Sequence, residues 1–503
     1  MAAERSAARN TGSAGKVEAP ALLKLLIAGR WVVGDGQRLA SRNPASPQEL
    51  VAEGQTALAS DLERAMSAAR ASQPEWSRTP IHERGAVLIR AAAALEEQAS
   101  GLGLELSREE GKTLAEGTAE VLRAVQILRY YGNEGDRVAG EHYASPRRGE
   151  RILITRKPLG VIGVITPFNF PIAIPAWKIA PALVYGNTVV WKPASTVPLL
   201  AMRLAEALAN SGLPSGVLNM IIGSGSIGTD LARSPGLDGI TFTGSPGIGR
   251  GLAAEAALRG LPMQAEMGGK NAAMVLPDAD LDLAAEQVLF GAFRSTGQKC
   301  TATSRLILAD SIADEFLERF EARLENWQTG NPTEPSVHMG PLVSEGARMS
   351  ILNDITIAME TGAEAIAGTS SANPLAGTDG AFLAPTVLEL PRGNVGAANI
   401  AWRKELFGPV LAVRRAASTD EAFAWAEDSE FGLSASLFTR NMAIALEAID
   451  ALNVGILHIN SESAGSDPHV PFGGAKKSSS GPKEQGSAAK EFFTHTTTVY
   501  LRG

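Results

Sequence analysis

The sequence predicts an α/β protein with two parallel-sheet units, each Rossmann-like, and a small additional β element. Three observations carry this. Between Gly160 and Leu276, short β-branched runs alternate with helical stretches; a second alternation of the same kind runs from Asp280 onward; and the chain ends on an amphipathic strand with no neighbour in sequence to pair with. A chain of 503 residues exceeds what one hydrophobic core supports, so more than one packed unit is expected.

The elements follow in order. Residues 1–20, which contain MAAERSAARNTGSAGK, read as a disordered tail with no apolar stretch of signal-peptide length. The stretch to about residue 130 reads as mostly helical, with Ser60 and Glu63 as a capping box and IHERGAVLIRAAAALEEQ as an amphipathic helix. RILITRKP and VIGVITP are two extended segments joined near Pro158, Leu159 and Gly160. The first alternation then takes VIGVIT, NTVVWKP, LNMIIG, GITFTG and AAMVL as strands. The helices between them are AIPAWKIAPALVYG, PLLAMRLAEALANSG and PGIGRGLAAEAALRG. In the second, Asp280 caps a helix, and SRLIL, PVLAV, ASLFT and VGILHIN are strands around the helix IADEFLERFEARLENW. FFTHTTTVYLR is the closing strand, which requires a sheet to join.

Composition narrows the function classes. The net charge of −8 with no large basic block excludes the electrostatic footprint of a nucleic-acid binder, and no run of apolar residues has membrane-spanning length. The single cysteine forms no intrachain disulfide, which suits a reducing, cytoplasmic setting. The six histidines show no metal-ligand spacing, so no metal is expected. A small-molecule partner remains.

Cys300 lies in FRSTGQKCTATSR, at the end of a predicted helix. A lone cysteine is commonly a buried small hydrophobe. Gly297 and Gln298, however, mark a turn that sets this thiol at a loop mouth beside backbone amides, where thiolate and oxyanion are both stabilised. In EMGGK, Glu266 is a candidate base followed by two glycines that permit close backbone approach, although a strand-end glutamate on the surface would read the same. Asn169, between two phenylalanines at the end of VIGVIT, is either a turn asparagine or an amide donor to an oxyanion. GSGSIG at 223–228 matches a glycine-rich turn but lacks the acidic residue that would confirm a dinucleotide fingerprint, so it is taken as a helix-opening turn near a cofactor. FTGSPGIG, with Ser245 at a helix start, is the stronger phosphate site.

Taken together, TPFNFPIAIPAWKIAPALVYGNTVVWKPA, FTGS, EMGGKN, GQKC, KELFGPV and HVPFGGAKKS closely resemble, in order and separation, the aldehyde dehydrogenase superfamily. The resemblance covers nearly all of the chain beyond the tail. It implies that Cys300 attacks the aldehyde, that Asn169 and the Cys300 amide hold the oxyanion, and that Glu266 activates the hydrolytic water. For the cofactor it implies Thr166, Pro167, Phe168, Lys192, Ser195, Gly225, Ser245, Gly268, Glu405 and Phe407; for the substrate, Phe170, Trp177, Arg294 and Phe472. Phe168 stands where many relatives have tryptophan.

The implied architecture is a cofactor domain over 21–140 and 160–271, a catalytic domain over 272–482, and an oligomerisation element over 141–159 and 483–503. A homo-oligomer, dimer or tetramer, is expected. Ser195 replaces a glutamate that binds the ribose hydroxyls in NAD-preferring members. NADP is therefore expected to serve at least as well as NAD, because a glutamate would repel the 2′-phosphate. The segments around Cys300, Glu266 and HVPFGGAKKSSSGPKEQG look most like the α-ketoglutaric semialdehyde (2,5-dioxopentanoate) dehydrogenase branch, with Arg294 as partner for a substrate carboxylate. The alternatives are succinate or glutarate semialdehyde, betaine aldehyde, or a non-catalytic protein on the same fold.

Overall fold

The computed structural model describes residues 19–368, 375 and 377–503; the expected tail lies outside them except for its last two residues. Two large sheets dominate. The first runs, edge to edge, through Ser479–Ser480, Met263–Glu266, Gly239–Thr243, Val161–Ile165, Thr188–Lys192, Leu218–Met220, Leu25–Ile27 and Arg30–Val32. Its five central strands are parallel, and antiparallel strands close both sides. Strands of this kind carry helices on both faces, which is why VIGVI and TVVWK are buried throughout. The chain enters at Val161–Ile165, builds outward through Thr188–Lys192 and Leu218–Met220, and then returns to the other side of its first strand with Gly239–Thr243. That reversal opens a crevice at the carboxyl ends of the strands, the usual ligand position of such sheets.

The second sheet orders Glu364–Ala367, Thr386–Glu389, Val410–Ala416, Thr303–Ala309, Asn271–Val275, Ser434–Phe438 and Ile456–Ile459, all parallel except the first. Alternate side chains feed separate cores: Ala272 and Met274 join one apolar cluster, Ala273 and Val275 the other. AAMVL was expected with the first alternation, but it lies in the middle of the second sheet. The fifth parallel strand of the first sheet is instead Met263–Glu266, whose short, half-polar run carries a weak strand signal.

Other expectations are corrected as well. Residues 21–55 are not helical; they form short strands, among them Arg38–Arg42 paired with Leu50–Gln55. The helix Ala59–Arg78 is capped at Leu58, whose N–H donates to Asp61 Oδ2 at 2.8 Å, so Ser60 and Glu63 are not its capping box. Asp280 does cap Leu281–Phe293, accepting from the Leu283 N–H at 3.2 Å.

The third sheet pairs Thr494–Arg502 with Glu150–Pro158 along nine residues, and Glu141–Ala144 flanks it. This is the sheet that the closing strand required. Segment 483–493 does not belong to it: Phe492 and Phe493 are buried in the first core, and Ser479–Ser480 joins the first sheet, inside the span expected for the catalytic domain. No helix among the described residues is long and apolar enough to cross a membrane.

Candidate active site

The two large sheets meet where Cys300 sits. After the helix Leu281–Phe293 the chain turns through Ser295, Thr296 and Gly297, with φ of 53°, 54° and 67°. Left-handed backbone at two non-glycine residues costs about 1–3 kcal/mol each, so the surroundings must enforce it. Glu116 accepts from the Ser295 N–H at 2.7 Å, Thr296 Oγ1 donates to the Gly340 carbonyl at 3.2 Å, and a Cβ on Gly297 would lie 2.3 Å from the Gly408 carbonyl oxygen. The tight turn presents Cys300, partly exposed, to a cavity of about 420 Å³.

Asn169 is buried, and its side-chain amide donates to the Gln298 carbonyl at 2.8 Å. An amide carries two N–H donors, so one anchors it to the cysteine turn and the other is left for a ligand. Its own carbonyl is held by Lys112 Nζ at 2.8 Å. Lys112 also bonds Glu120 at 2.6 Å, and Glu120 in turn accepts from the Ile172 and Ala173 N–H groups at the next helix start. A buried, paired lysine thus fixes the loop that carries Asn169.

Glu266 ends the strand Met263–Glu266, 2% exposed. Ser479 Oγ donates to its Oε2 at 2.5 Å, while its Oε1 has no partner. Burial and the nearby Glu484 push its pKa up to about 8, a value suited to a base working near neutrality. Burial, with the Glu405 and Glu266 carboxylates, pushes the Cys300 thiol up to about 12. The resting thiol is therefore protonated and needs a proton acceptor to become a nucleophile.

Behind Glu266 stands a pair that the motifs did not single out. Lys178 is ion-paired with Glu484 and donates to Thr241 Oγ1 at 2.9 Å; Glu484 also accepts from Trp177 Nε1 at 2.7 Å. The signal was a single lysine in the otherwise apolar helix Ala173–Val184, since such a charge is buried only with a partner. Lys112 and Glu120 stand in charge-rich sequence, SREEGKTLAEGTAEVLR, and gave no such signal.

The cofactor candidates gather on the first sheet's crevice. Lys192 is 8% exposed, no ion pair of its ammonium occurs among the described residues, and burial alone lowers its pKa to about 8. Such a cation needs a polar or anionic ligand. Gly228 of the glycine-rich turn packs against the Lys192 side chain, which brings the start of the helix Gly225–Arg233 beside it. Ser245 caps Pro246–Leu258 with its own side chain unengaged, so hydroxyl and helix N–H groups face outward. Gly225 is open to solvent, and Ser195 is half-buried three residues beyond Lys192. Thr166 accepts from Trp191 Nε1 at 2.9 Å, Pro167 and Phe168 follow it, and Phe168 meets Phe407 edge to face at 5.8 Å. A Cβ on Gly268 would fall 1.8 Å from Glu405 Oε2, and Glu405 Oε1 accepts from the Gly269 N–H at 3.1 Å. Gly268 is what allows this carboxylate against the backbone, while Gly269 makes room for Asn271 and the Cys300 carbonyl. An unpaired buried cation, two exposed helix starts and a carboxylate at the far end fit a dinucleotide.

Phe170, Trp177, Arg294 and Phe472 all line the Cys300 cavity, with Trp177 and Phe472 in ring contact at 5.5 Å. Arg294 stacks on Phe290 at 3.7 Å and approaches Glu462 at 3.4 Å. Its guanidinium is thus partly engaged by the protein itself.

This arrangement of thiol, amide, carboxylate and dinucleotide crevice is that of an enzyme that oxidises an aldehyde. Residues 31–499 match the model of the aldehyde dehydrogenase family. The chain belongs to that family, and its reaction is NAD(P)-dependent oxidation of an aldehyde to the acid. It is similar to the alpha-ketoglutaric semialdehyde dehydrogenase of Bacillus subtilis (strain 168), at 41% identity over 95% of this chain and 97% of that protein. It is also similar to the 2,5-dioxopentanoate dehydrogenase of Saccharolobus solfataricus, at 37% identity over 94% and 98%. Among solved structures, the NAD-dependent aldehyde dehydrogenase of Sinorhizobium meliloti superposes with a TM-score of 0.92 at 30% identity, covering 96% of this chain and 95% of that one. An NADP-dependent enzyme of E. coli gives 0.90 at 31% identity, covering 95% and 98%.

Proposed function

We propose that the chain oxidises α-ketoglutaric semialdehyde to 2-oxoglutarate, and that it does so on Cys300. The observation that carries the chemistry is the convergence of Cys300, Asn169 and Glu266 from separate elements, with the Glu266 carboxylate close enough to act on the Cys300 thiol. The substrate reading is supported by the two relatives named above and by the cations Arg294 and Lys299 in the cavity wall.

Glu266 takes the thiol proton, directly or through water, and the thiolate adds to the aldehyde carbon. The free N–H of the Asn169 amide and the Cys300 backbone N–H stabilise the oxyanion of the thiohemiacetal. NAD(P), when bound, would serve as the two-electron oxidant of the thiohemiacetal, whose carbon would remain on Cys300 as a thioester. Glu266 then activates water to hydrolyse that thioester, the acid leaves, and the thiol is regenerated. Lys192 and Ser195 would hold the adenosine ribose, Ser245 with the Gly225 turn the pyrophosphate, and Gly268, Glu405 and Phe407 the nicotinamide end beside Thr166, Pro167 and Phe168. With serine at 195 and an unpaired Lys192, a 2′-phosphate meets a cation and no carboxylate, so NADP serves at least as well as NAD.

The Thr494–Arg502 strand is the edge of its sheet, and Ile456–Ile459 is the edge of the second large sheet. Each offers unpaired backbone groups, which supports a homo-oligomer joined through them in a cytoplasmic enzyme.

An aldehyde panel tests the substrate. Semialdehydes of differing length, betaine aldehyde and benzaldehyde are compared by kcat/KM with each dinucleotide. The highest value is expected for α-ketoglutaric semialdehyde, with NADP at least equal to NAD. A peak at an uncharged or cationic aldehyde would refute the substrate, and a strong NAD preference would refute the cofactor reading.

A further inference from the structure

Lys299 immediately precedes the nucleophile, is 8% exposed and lines the same cavity. Burying an ammonium costs several kcal/mol unless it is paired and hydrogen-bonded. Its partners are poor: the Phe290 carbonyl at 3.4 Å and Glu462 Oε2 at 3.7 Å, both at the outer limit of a polar contact. Glu462 Oε2 is itself buried without a hydrogen bond. The same carboxylate also serves Arg294, through Oε1 at 3.4 Å. Two cations therefore share one acid, and neither makes a short contact.

The other acids of the wall are occupied. Glu120 is taken by Lys112 at 2.6 Å. Glu116 accepts from the Ser295 N–H at 2.7 Å and from Thr113 Oγ1 at 2.9 Å. Over the whole lining, the cations Lys112, Arg123, Arg294 and Lys299 face the acids Glu116, Glu120 and Glu462. Arg123 approaches Asp467, outside the lining, at 3.4 Å, where Arg123 is partly and Asp467 well exposed. Burial lowers the Lys299 pKa, and the Glu462 and Glu116 carboxylates oppose that shift. The carboxylates that act on the thiol are Glu405 and Glu266, neither of which lines this cavity.

We propose that Lys299 is the inner anchor for a carboxylate at the far end of the aldehyde substrate, with Arg294 holding Glu462 at the cavity wall. This rests on the carboxylated-semialdehyde reading above. An ammonium with three donors and no short partner gains a charge-assisted bond when a carboxylate enters. Its place one residue before Cys300 ties the length of the substrate to the distance between the reacting carbon and the anchor. Lys299 does no chemistry; it selects and orients.

The test compares wild type, Lys299→Met and Lys299→Arg, each with α-ketoglutaric semialdehyde and with an uncharged aldehyde of equal chain length. In Lys299→Met the ratio of the two kcat/KM values is expected to fall at least tenfold, mainly through a higher KM for the semialdehyde. Lys299→Arg is expected to keep most of the ratio. If both aldehydes lose equally in Lys299→Met, or the ratio does not move, the anchor is wrong. Turnover of the uncharged aldehyde reports folding of the variant. A wild-type enzyme that itself shows no preference for the carboxylated aldehyde would remove the underlying reading, whereas a wild-type preference that survives Lys299→Met removes the anchor alone.

Discussion

At the scale of single residues, the site is governed by what burial does to charge. Glu266 keeps one oxygen on Ser479 and leaves the other unpartnered, and its carboxyl is pushed up to about 8. A raised carboxyl pKa means that the basic form is scarce below that value and gains population as pH rises through it. The rate of aldehyde oxidation is therefore expected to climb with pH and level off above about 8. In Glu266→Gln that limb is expected to vanish along with most turnover, as read from the pH profile of kcat; an unchanged limb would assign the titration to another group. Cys300, Asn169 and Glu266 were legible in sequence because each stands in a short motif with glycine or aromatic punctuation. Lys178 and Glu484 were not, since they stand 306 residues apart and only the fold brings them together, and Lys112 and Glu120, eight residues apart across a helix start, carry no motif that pairs them.

At the scale of elements, the cysteine turn is the least forgiving piece. Its left-handed residues are enforced by Glu116, Gly340 and Gly408, and Gly297 has no space for a Cβ. Gly297→Ala is expected to destabilise the fold by roughly 1–3 kcal/mol, read by chemical denaturation, and to lower kcat as the thiol shifts. Loss of kcat without loss of stability would show that the turn relaxes freely. The strands of the first sheet were readable because their β-branched runs are buried on both faces. Met263–Glu266 escaped notice because its sequence alternates with a glutamine and ends on the carboxylate of Glu266. The strands over 21–55 were hidden by their brevity: two to six residues give too little periodicity to distinguish from loop.

At the scale of the whole molecule, the closing strand announced its need for a sheet, and the structure supplies Glu150–Pro158 as its partner. What the chain alone does not supply is cover for that sheet: Tyr500 and Leu501 remain 56% and 49% exposed. Removing residues 494–503 is expected to convert an oligomer to monomers by light scattering after size exclusion; retained oligomers would place the interface elsewhere. The expected domain limits shifted because the chain after the second sheet returns to the first, bringing Ser479 to Glu266 and Glu484 to Lys178. That return completes the base's surroundings from a segment more than two hundred residues downstream, which no local motif could announce.

The central claim, that the acid is made as a thioester on Cys300 and released by hydrolysis, is tested most directly by intact-mass and peptide mapping of the wild-type enzyme, acid-quenched during turnover with NADP and α-ketoglutaric semialdehyde. The predicted result is an acyl adduct on the peptide that contains Cys300, present while reduced dinucleotide is being formed and gone once the aldehyde is exhausted. Sustained turnover with an unmodified Cys300, or an adduct on any other residue, would contradict it.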